Sequence, residues 1–507
     1  MPDSSGLIQI RGLFLMKTGF DNDKYLKIQS EHIKERISHF EGKLYLEFGG
    51  KLFDDYHASR VLPGFMPDSK LRMLLQLKDE AEVVIVICAE DIERNKKRGD
   101  LAIGYDEDVI RLIGKYRDCG LTVGSVVITR YFKAPAVDQF MQRLKKQKLK
   151  VYKHYKIEGY PNNIPLIMSQ DGYGRNEYIE TASPLVIITA PGPGSGKMAT
   201  CLSQLYQDST RGVRSGYAKF ETFPVWNLPL NHEVNLAYEA ATADLNDVNM
   251  IDPFHLSAYG ETTVNYNRDV EIFPVLSAIF ESIYGESPYK SPTDMGVNMV
   301  GYCITDDEAC REASRQEIIR RYFKACDAVV RETGSDNEVY KIDLLMKKAG
   351  INAEIRPVVP AALKRAELEK APATAIELPD GTIVTGGTTS LLGPSAAALL
   401  NALKILAGIP HKTKVISPEA IGPIQKLKID YLGSRNPALH LDEVLIALSV
   451  SAATDENAKL AMEQLPKLRH CPVHTSVLLA NTDERTFGRL GMDLTCEPLF
   501  ENKEKRK

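Results

Sequence analysis

The stretch Leu185-Val-Ile-Ile-Thr-Ala-Pro-Gly-Pro-Gly-Ser-Gly-Lys-Met198 holds three signals in succession: an apolar run, a glycine-rich turn and a helix start. Leu185–Thr189 shows no polar alternation, as a strand covered on both faces should read. Met198, Cys201, Leu202, Leu205 and Tyr206 then recur at the spacing of an amphipathic helix. Between them Gly192, Gly194 and Gly196 let main-chain N–H groups converge without side-chain obstruction. The new helix adds unpaired donors and the positive end of its dipole, and Lys197 adds an ammonium. A phosphate-binding loop is therefore expected at Gly192, Gly194, Ser195, Gly196 and Lys197, with Thr200 as the next hydroxyl.

The Walker A pattern G-x-x-x-x-G-K-[ST] is met at Gly196 and Lys197, but Pro191 replaces its first glycine and Met198 its last hydroxyl. That hydroxyl ordinarily ligates Mg²⁺, so binding of ATP or another nucleotide is expected to depend only weakly on the metal.

Working outward, strand and helix signals alternate through the first two hundred residues. Strands are expected at Leu44–Phe48, Val83–Cys88, Leu121–Thr129 and Val151–Tyr155. Helices are expected at Asp23–His39, Ser69–Lys78, Asp106–Tyr116 and Ala136–Gln147. Repeated units of this kind imply an N-terminal doubly wound parallel sheet, Rossmann-like or P-loop-like.

Helical patterns dominate from about residue 231, notably Asp269–Tyr284 and a long helix running to Glu332. After a proline-rich entry, Ala373–Leu378, the turn Pro379-Asp380-Gly381 and Thr382–Thr385 read as a hairpin, followed by a helix at Pro394–Ala407. Strands at Lys414–Ser417 and Thr475–Leu479 complete a C-terminal α/β region. The fold class is α/β, with expected parts 1–230, 231–350 (mainly helical) and 351–507.

Other candidate residues are weaker. A magnesium carboxylate would end a buried strand, which points to Asp252 after Val248–Ile251, or to Asp91 after Val83–Cys88. His255 follows Asp252 closely, so these two are the catalytic candidates. Gly386, Gly387, Thr388, Thr389 and Ser390 form a second glycine- and hydroxyl-rich strand-to-helix turn, either an anion loop or a capped turn. Glu47-Phe48-Gly49-Gly50-Lys51 resembles the opening loop of amino-acid kinases only faintly, because Glu47 stands where a lysine belongs. Cys471 and His474 have metal-ligand spacing, yet no second close pair accompanies them, so no zinc is expected.

The composition limits the remaining classes. Apolar residues make up 44% of the 507, charged residues 26%, and the net charge is −4. These values suit ordinary globular cores and argue against a nucleic-acid partner. The basic run Arg143–Lys153 reads as a solvated helix end. No apolar run approaches the length of a membrane span and no secretory leader is evident, so a cytoplasmic location without membrane contact is expected. The eight scattered cysteines fit reduced thiols.

Phe20–Ile37, Ile187–Tyr206 and Asn249–His255 resemble a bacterial family of uncharacterised conserved proteins, and the likeness runs nearly the full chain. The resemblance implies a bacterial cytoplasmic source, a multi-part α/β architecture and a Met198 that is a family feature. It supplies no catalytic residue. The leading expectation is an enzyme acting on a small phosphate-containing ligand, a phosphotransferase or ATP-dependent ligase. A non-catalytic nucleotide or anion sensor and an interaction scaffold stand beside it, and a homo-oligomer is compatible with each.

Overall fold

A computed structural model describes residues 18–98, apart from 50, 51 and 54, and residues 103–500. Gly50 and Lys51 of the faint kinase-like loop thus lie outside the described residues. The chain divides into two compact units, Thr18–Ala313 and a second from Ser314 onward.

The first unit is built on a seven-stranded sheet. Its strands are β1 (Leu44–Phe48), β2 (Ala81–Cys88), β3 (Thr122–Thr129), β4 (Lys150–Lys153), β5 (Leu185–Thr189) and β6 (Gly216–Phe220). After a separate antiparallel hairpin of β7 (Asn249–Ile251) and β8 (Val264–Tyr266), β9 (Gly296–Val297) completes the sheet. The order is β4-β3-β2-β5-β1-β6-β9, and every pairing is parallel.

The largely apolar runs account for the centre: every residue of β1, β2 and β5 is buried, Glu47 and Glu82 included. From β2 the chain steps outward to β3 and β4, then returns to insert β5 between β2 and β1. From β5 it steps the other way, across β1 to β6. Right-handed crossovers in opposite directions place their helices on opposite faces, so the sheet is doubly wound with a switch point beside β5. Helix Tyr105–Asp118 packs on β2 and β3, and helix Lys197–Thr210 on β1, β5 and β6.

Local signals fix the helix ends. Asp21 caps helix Asn22–His39 by accepting from the Lys24 N–H, and Gly285, left-handed at φ 88°, ends helix Asn267–Tyr284.

The second unit holds a four-stranded sheet of β10 (Ala373–Glu377), β11 (Ile383–Gly387), β12 (Pro472–Thr475) and β13 (Asp493–Cys496). Its order is β11-β10-β12-β13; β10 runs antiparallel to both neighbours, and β12 is parallel to β13. The expected hairpin is β10–β11.

Several expectations need correction. Residues 231–350 are mainly helical, but β9 returns within them to pair with β6, and the compact units divide after Ala313. Lys414–Ser417 is not a strand: Val415 and Ile416 are buried in the core, and Ser417 caps helix Pro418–Lys426. The late strand lies earlier, at Pro472–Thr475. The chain leaves the sheet at Ser476, whose hydroxyl accepts from the Ala373 N–H, and Leu478 and Leu479 are buried beyond it.

Among the described residues no helix is long and apolar enough to cross a membrane. The eight cysteines are all free.

Candidate functional site

The glycine-rich turn leaves the carboxyl end of β5, at the switch point of the parallel sheet, where open α/β proteins bind ligands. Gly194 and Gly196 take left-handed conformations, φ 75° and 92°, and Gly196 is the residue from which helix Lys197–Thr210 begins. A side chain at Gly196 would also press on Thr129, whose Cγ2 lies 3.1 Å from the position of a Cβ. Both glycines are thus dictated by the backbone path.

The carbonyls of Gly192, Gly194, Ser195 and Gly196 are engaged. The Ser195 hydroxyl donates to the Gly192 carbonyl at 2.9 Å, and Arg130 Nη2 to the Gly194 carbonyl at 3.0 Å. Thr129 Oγ1 donates to the Ser195 carbonyl at 2.6 Å. The Gly196 carbonyl accepts from the Thr200 N–H at 3.0 Å and the Thr200 hydroxyl at 2.9 Å. The N–H groups from Gly194 to Ala199, by contrast, have no hydrogen-bond partner among the described residues, and no side chain caps the helix. With its carbonyls tied back and its N–H groups free, the loop is a main-chain donor nest.

The side chains divide by role. Lys197 is half-buried, and its ammonium makes no hydrogen bond or ion pair with a described residue. Ser195 and Thr200 are fully buried with their hydroxyls spent on loop carbonyls, so their part is to shape the turn. Met198 is half-buried at the head of a stripe in which Cys201, Leu202 and Leu205 are buried.

Arg130 was not legible from the sequence. It follows β3 with φ 47°, unusual for a residue bearing a side chain. Besides its bond to Gly194 it lies 3.6 Å from Glu90 and stays 43% exposed, a second cation at the loop. Tyr105 closes the other side, packed so near Gly192 that any Cβ there would clash with its hydroxyl.

The weaker candidates have other occupations. β7 belongs to the separate hairpin, so Asp252 does not end a strand of the parallel sheet. Its buried carboxylate accepts from the Phe254 and His255 N–H groups at 3.0 and 3.1 Å, and from the Thr293 N–H and hydroxyl at 3.2 and 2.7 Å. His255 Nδ1 lies 2.9 Å from Ser291 Oγ and 3.7 Å from Asp294. One ring nitrogen faces both groups, whereas a proton relay needs one on each. Asp91 pairs with Lys96 at 3.4 Å.

In the second unit, Gly386 and Gly387 belong to β11. A Cβ on Gly386 would sit 2.1 Å from the Ala398 nitrogen of helix Pro394–Leu406. The Thr388 hydroxyl donates to the Pro372 carbonyl, and the Thr389 hydroxyl accepts from the Leu391 and Leu392 N–H groups. Ser390 is exposed. These contacts describe a close-packed, capped turn.

A charged cluster lies at the carboxyl ends of β1 and β6. The Tyr217 hydroxyl donates to Glu47 at 2.8 Å. On β6 Lys219 contacts Tyr266, Asp269 and, at 2.8 Å, Glu221. Burial pushes the Glu221 carboxyl up to about 8 against the pull of Lys219. Burial also disfavours the Lys219 ammonium, but Asp269 and Glu221 outweigh it and hold the group well above the ordinary lysine value. Glu47 stands beside Ile188 of β5, a place set by strand order. Among the described residues no group of three or more His, Cys, Asp or Glu is placed to hold a metal ion.

Fold and loop together define a doubly wound α/β protein with an open donor turn at its switch point. Residues 18–350 match the family described as "Domain of unknown function DUF1846, N-terminal", and residues 354–505 match its C-terminal counterpart. The chain belongs to this bacterial family of uncharacterised proteins. It is 56% identical over 487 residues to a UPF0371 protein of Streptococcus thermophilus (strain ATCC BAA-491 / LMD-9), covering 96% of this chain and 99% of the relative. A UPF0371 protein of Corynebacterium aurimucosum is 58% identical over 486 residues, 96% of this chain and 98% of that one. One from Streptococcus pneumoniae (strain JJA) is 55% identical over 487 residues, 96% and 99% of the two chains. The two family segments adjoin between residues 350 and 354.

Proposed function

We propose that this protein binds a nucleotide or another phosphorylated metabolite at Gly192–Lys197, as a cytoplasmic phosphotransferase or ATP-dependent ligase. The observation that carries the reading is the run of N–H groups from Gly194 to Ala199 without partners among the described residues, between the cations Lys197 and Arg130. A multiply charged phosphate satisfies these donors at once and meets the helix dipole. Preorganised donors of this kind also stabilise charge on a transferring phosphoryl group without reorganisation.

A non-catalytic nucleotide or anion sensor is the second reading. It is favoured by the inward-facing Ser195 and Thr200 hydroxyls, which leave the loop no side-chain oxygen for a metal.

The experiment is a thermal-shift screen of the full chain with ATP, ADP, AMP, inorganic phosphate and sugar phosphates, each with and without Mg²⁺, repeated on Lys197→Ala. Stabilisation by one or more ligands that is lost in the variant supports a phosphate site, and no shift with any of them sinks it. Conversion of ATP to ADP or AMP then separates the enzyme from the sensor.

A further inference from the structure

In the second unit helix Pro418–Lys426 runs directly into a π-helical turn, Leu427–Tyr431. Such wide turns are uncommon and recur at functional positions. Here the turn presents apolar side chains to solvent: Tyr431 is 75% exposed and Leu432 71%, with Leu427 and Ile429 exposed beside them. Ile446 and Val450, 63% and 70% exposed, lie one turn apart on helix Leu441–Ser451.

The two rows are fastened together. Lys428, buried within the turn, donates to Glu443 and to the Ala438 carbonyl, each at 2.7 Å. Glu443 precedes Ile446 by three residues and shares its helix face. The rows therefore form one patch, on the order of 600 Å² of apolar surface, at the upper limit for a monomer.

We infer that this patch is a two-fold interface with a second copy of the chain. The charges around it select that occupant. Lys426 and Asp430 are exposed, four residues apart along the same helical stretch, and neither has an ion-pair partner among the described residues. When the stretch packs antiparallel against itself across a two-fold axis, Lys426 of each copy faces Asp430 of the other. The contact is self-complementary, as isologous dimers require. Its area fits as well: with the rim of Lys426, Asp430 and Arg435 the patch reaches the ~800 Å² per partner of a stable interface. The apolar centre and charged rim follow ordinary interface anatomy.

The test is sedimentation velocity and light scattering on the full chain. The wild type sediments as a dimer, twice the 56.4 kDa of one chain. The double variant Tyr431→Glu/Ile446→Glu is monomeric with unchanged thermal unfolding. Lys426→Glu and Asp430→Lys each weaken dimerisation at least about fivefold by placing like charges opposite one another. Lys426→Glu/Asp430→Lys on one chain restores it, because the swapped charges again face opposites. A wild type that is monomeric at every accessible concentration overturns the inference. So does a dimer indifferent to Tyr431 and Ile446, or a charge swap that fails to restore.

Discussion

Arg130 and Gly194, far apart in the chain, are joined by a 3.0 Å hydrogen bond from the guanidinium to the main-chain carbonyl. The bond holds the carbonyl away from the free N–H groups and brings a second cation to the loop. Arg130→Ala is expected to weaken ADP and ATP binding by about 1.5–3 kcal/mol, the range of a charge-assisted hydrogen bond, with Arg130→Lys in between. Titration calorimetry checks it, and equal affinities in all three proteins contradict it.

Lys197 has no ion-pair partner among the described residues and is half-buried, so its removal costs binding and spares the fold. Lys197→Ala loses about 1.5–3 kcal/mol of phosphate-ligand affinity while its unfolding midpoint stays within experimental error of the wild type. A variant that melts earlier without ligand would instead make Lys197 structural.

Metal dependence follows from the buried hydroxyls. With Thr200 bonded to the Gly196 carbonyl and Met198 in the usual hydroxyl position, ATP affinity rises less than about tenfold on adding Mg²⁺, or 1.4 kcal/mol. Thr200→Val leaves the Mg²⁺ effect unchanged. ATP titrations in Mg²⁺ and in excess chelator decide, and a larger gain from the metal rejects the argument.

His154, beyond β4, is buried, and burial lowers its imidazole to about 4; Nε2 lies 3.1 Å from the Glu177 carbonyl. The folded protein keeps the ring neutral, while the unfolded chain takes up a proton below about 6.5. Its stabilising contribution is therefore complete above that pH and is lost as pH falls toward 4, by about 3 kcal/mol. In urea unfolding across this window, His154→Gln should have a shallower acid-side decline than the wild type; parallel curves refute the assignment.

Gly386 has no room for a methyl group against the Ala398 nitrogen. Gly386→Ala should destabilise the C-terminal unit by about 1–3 kcal/mol, read from its denaturant midpoint. An unchanged midpoint shows that helix Pro394–Leu406 shifts freely on β11.

How far the sequence could be read depended on how local each cause was. The strand at Leu185–Thr189 was legible because burial on both faces writes an almost unbroken apolar run, and Leu44–Phe48 is apolar except for Glu47. Val415 and Ile416 carried the same mark, but a buried pair entering a helix looks locally like a strand. Gly386-Gly387 left an anion loop and a capped turn both open because glycine serves close packing and open turns alike. The direction of the Ser195 and Thr200 hydroxyls depends on bonds three and four residues back, which composition does not record. Arg130 gave no signal and Glu47 only a faint one, for a different reason. Their places come from strand order, which sets Glu47 beside Ile188 of β5, and nothing local in Thr122–Thr129 reveals that its end lies near the turn after β5.

The central strand is also a late one. β5 separates β1 from β2, yet it follows the end of β2 by nearly a hundred residues, so the facing edges of both lack their native partner while the intervening chain is made. At ribosomal speeds of about 5–20 residues per second, that interval lasts roughly 5–20 s. During it the apolar edges of Leu44–Phe48 and Ala81–Cys88 are open to any passing strand. The arrival of Leu185–Thr189 closes both of these edges and delivers the glycine turn in one event, so joining the two halves of the nascent sheet and assembling the donor loop are the same step of biosynthesis.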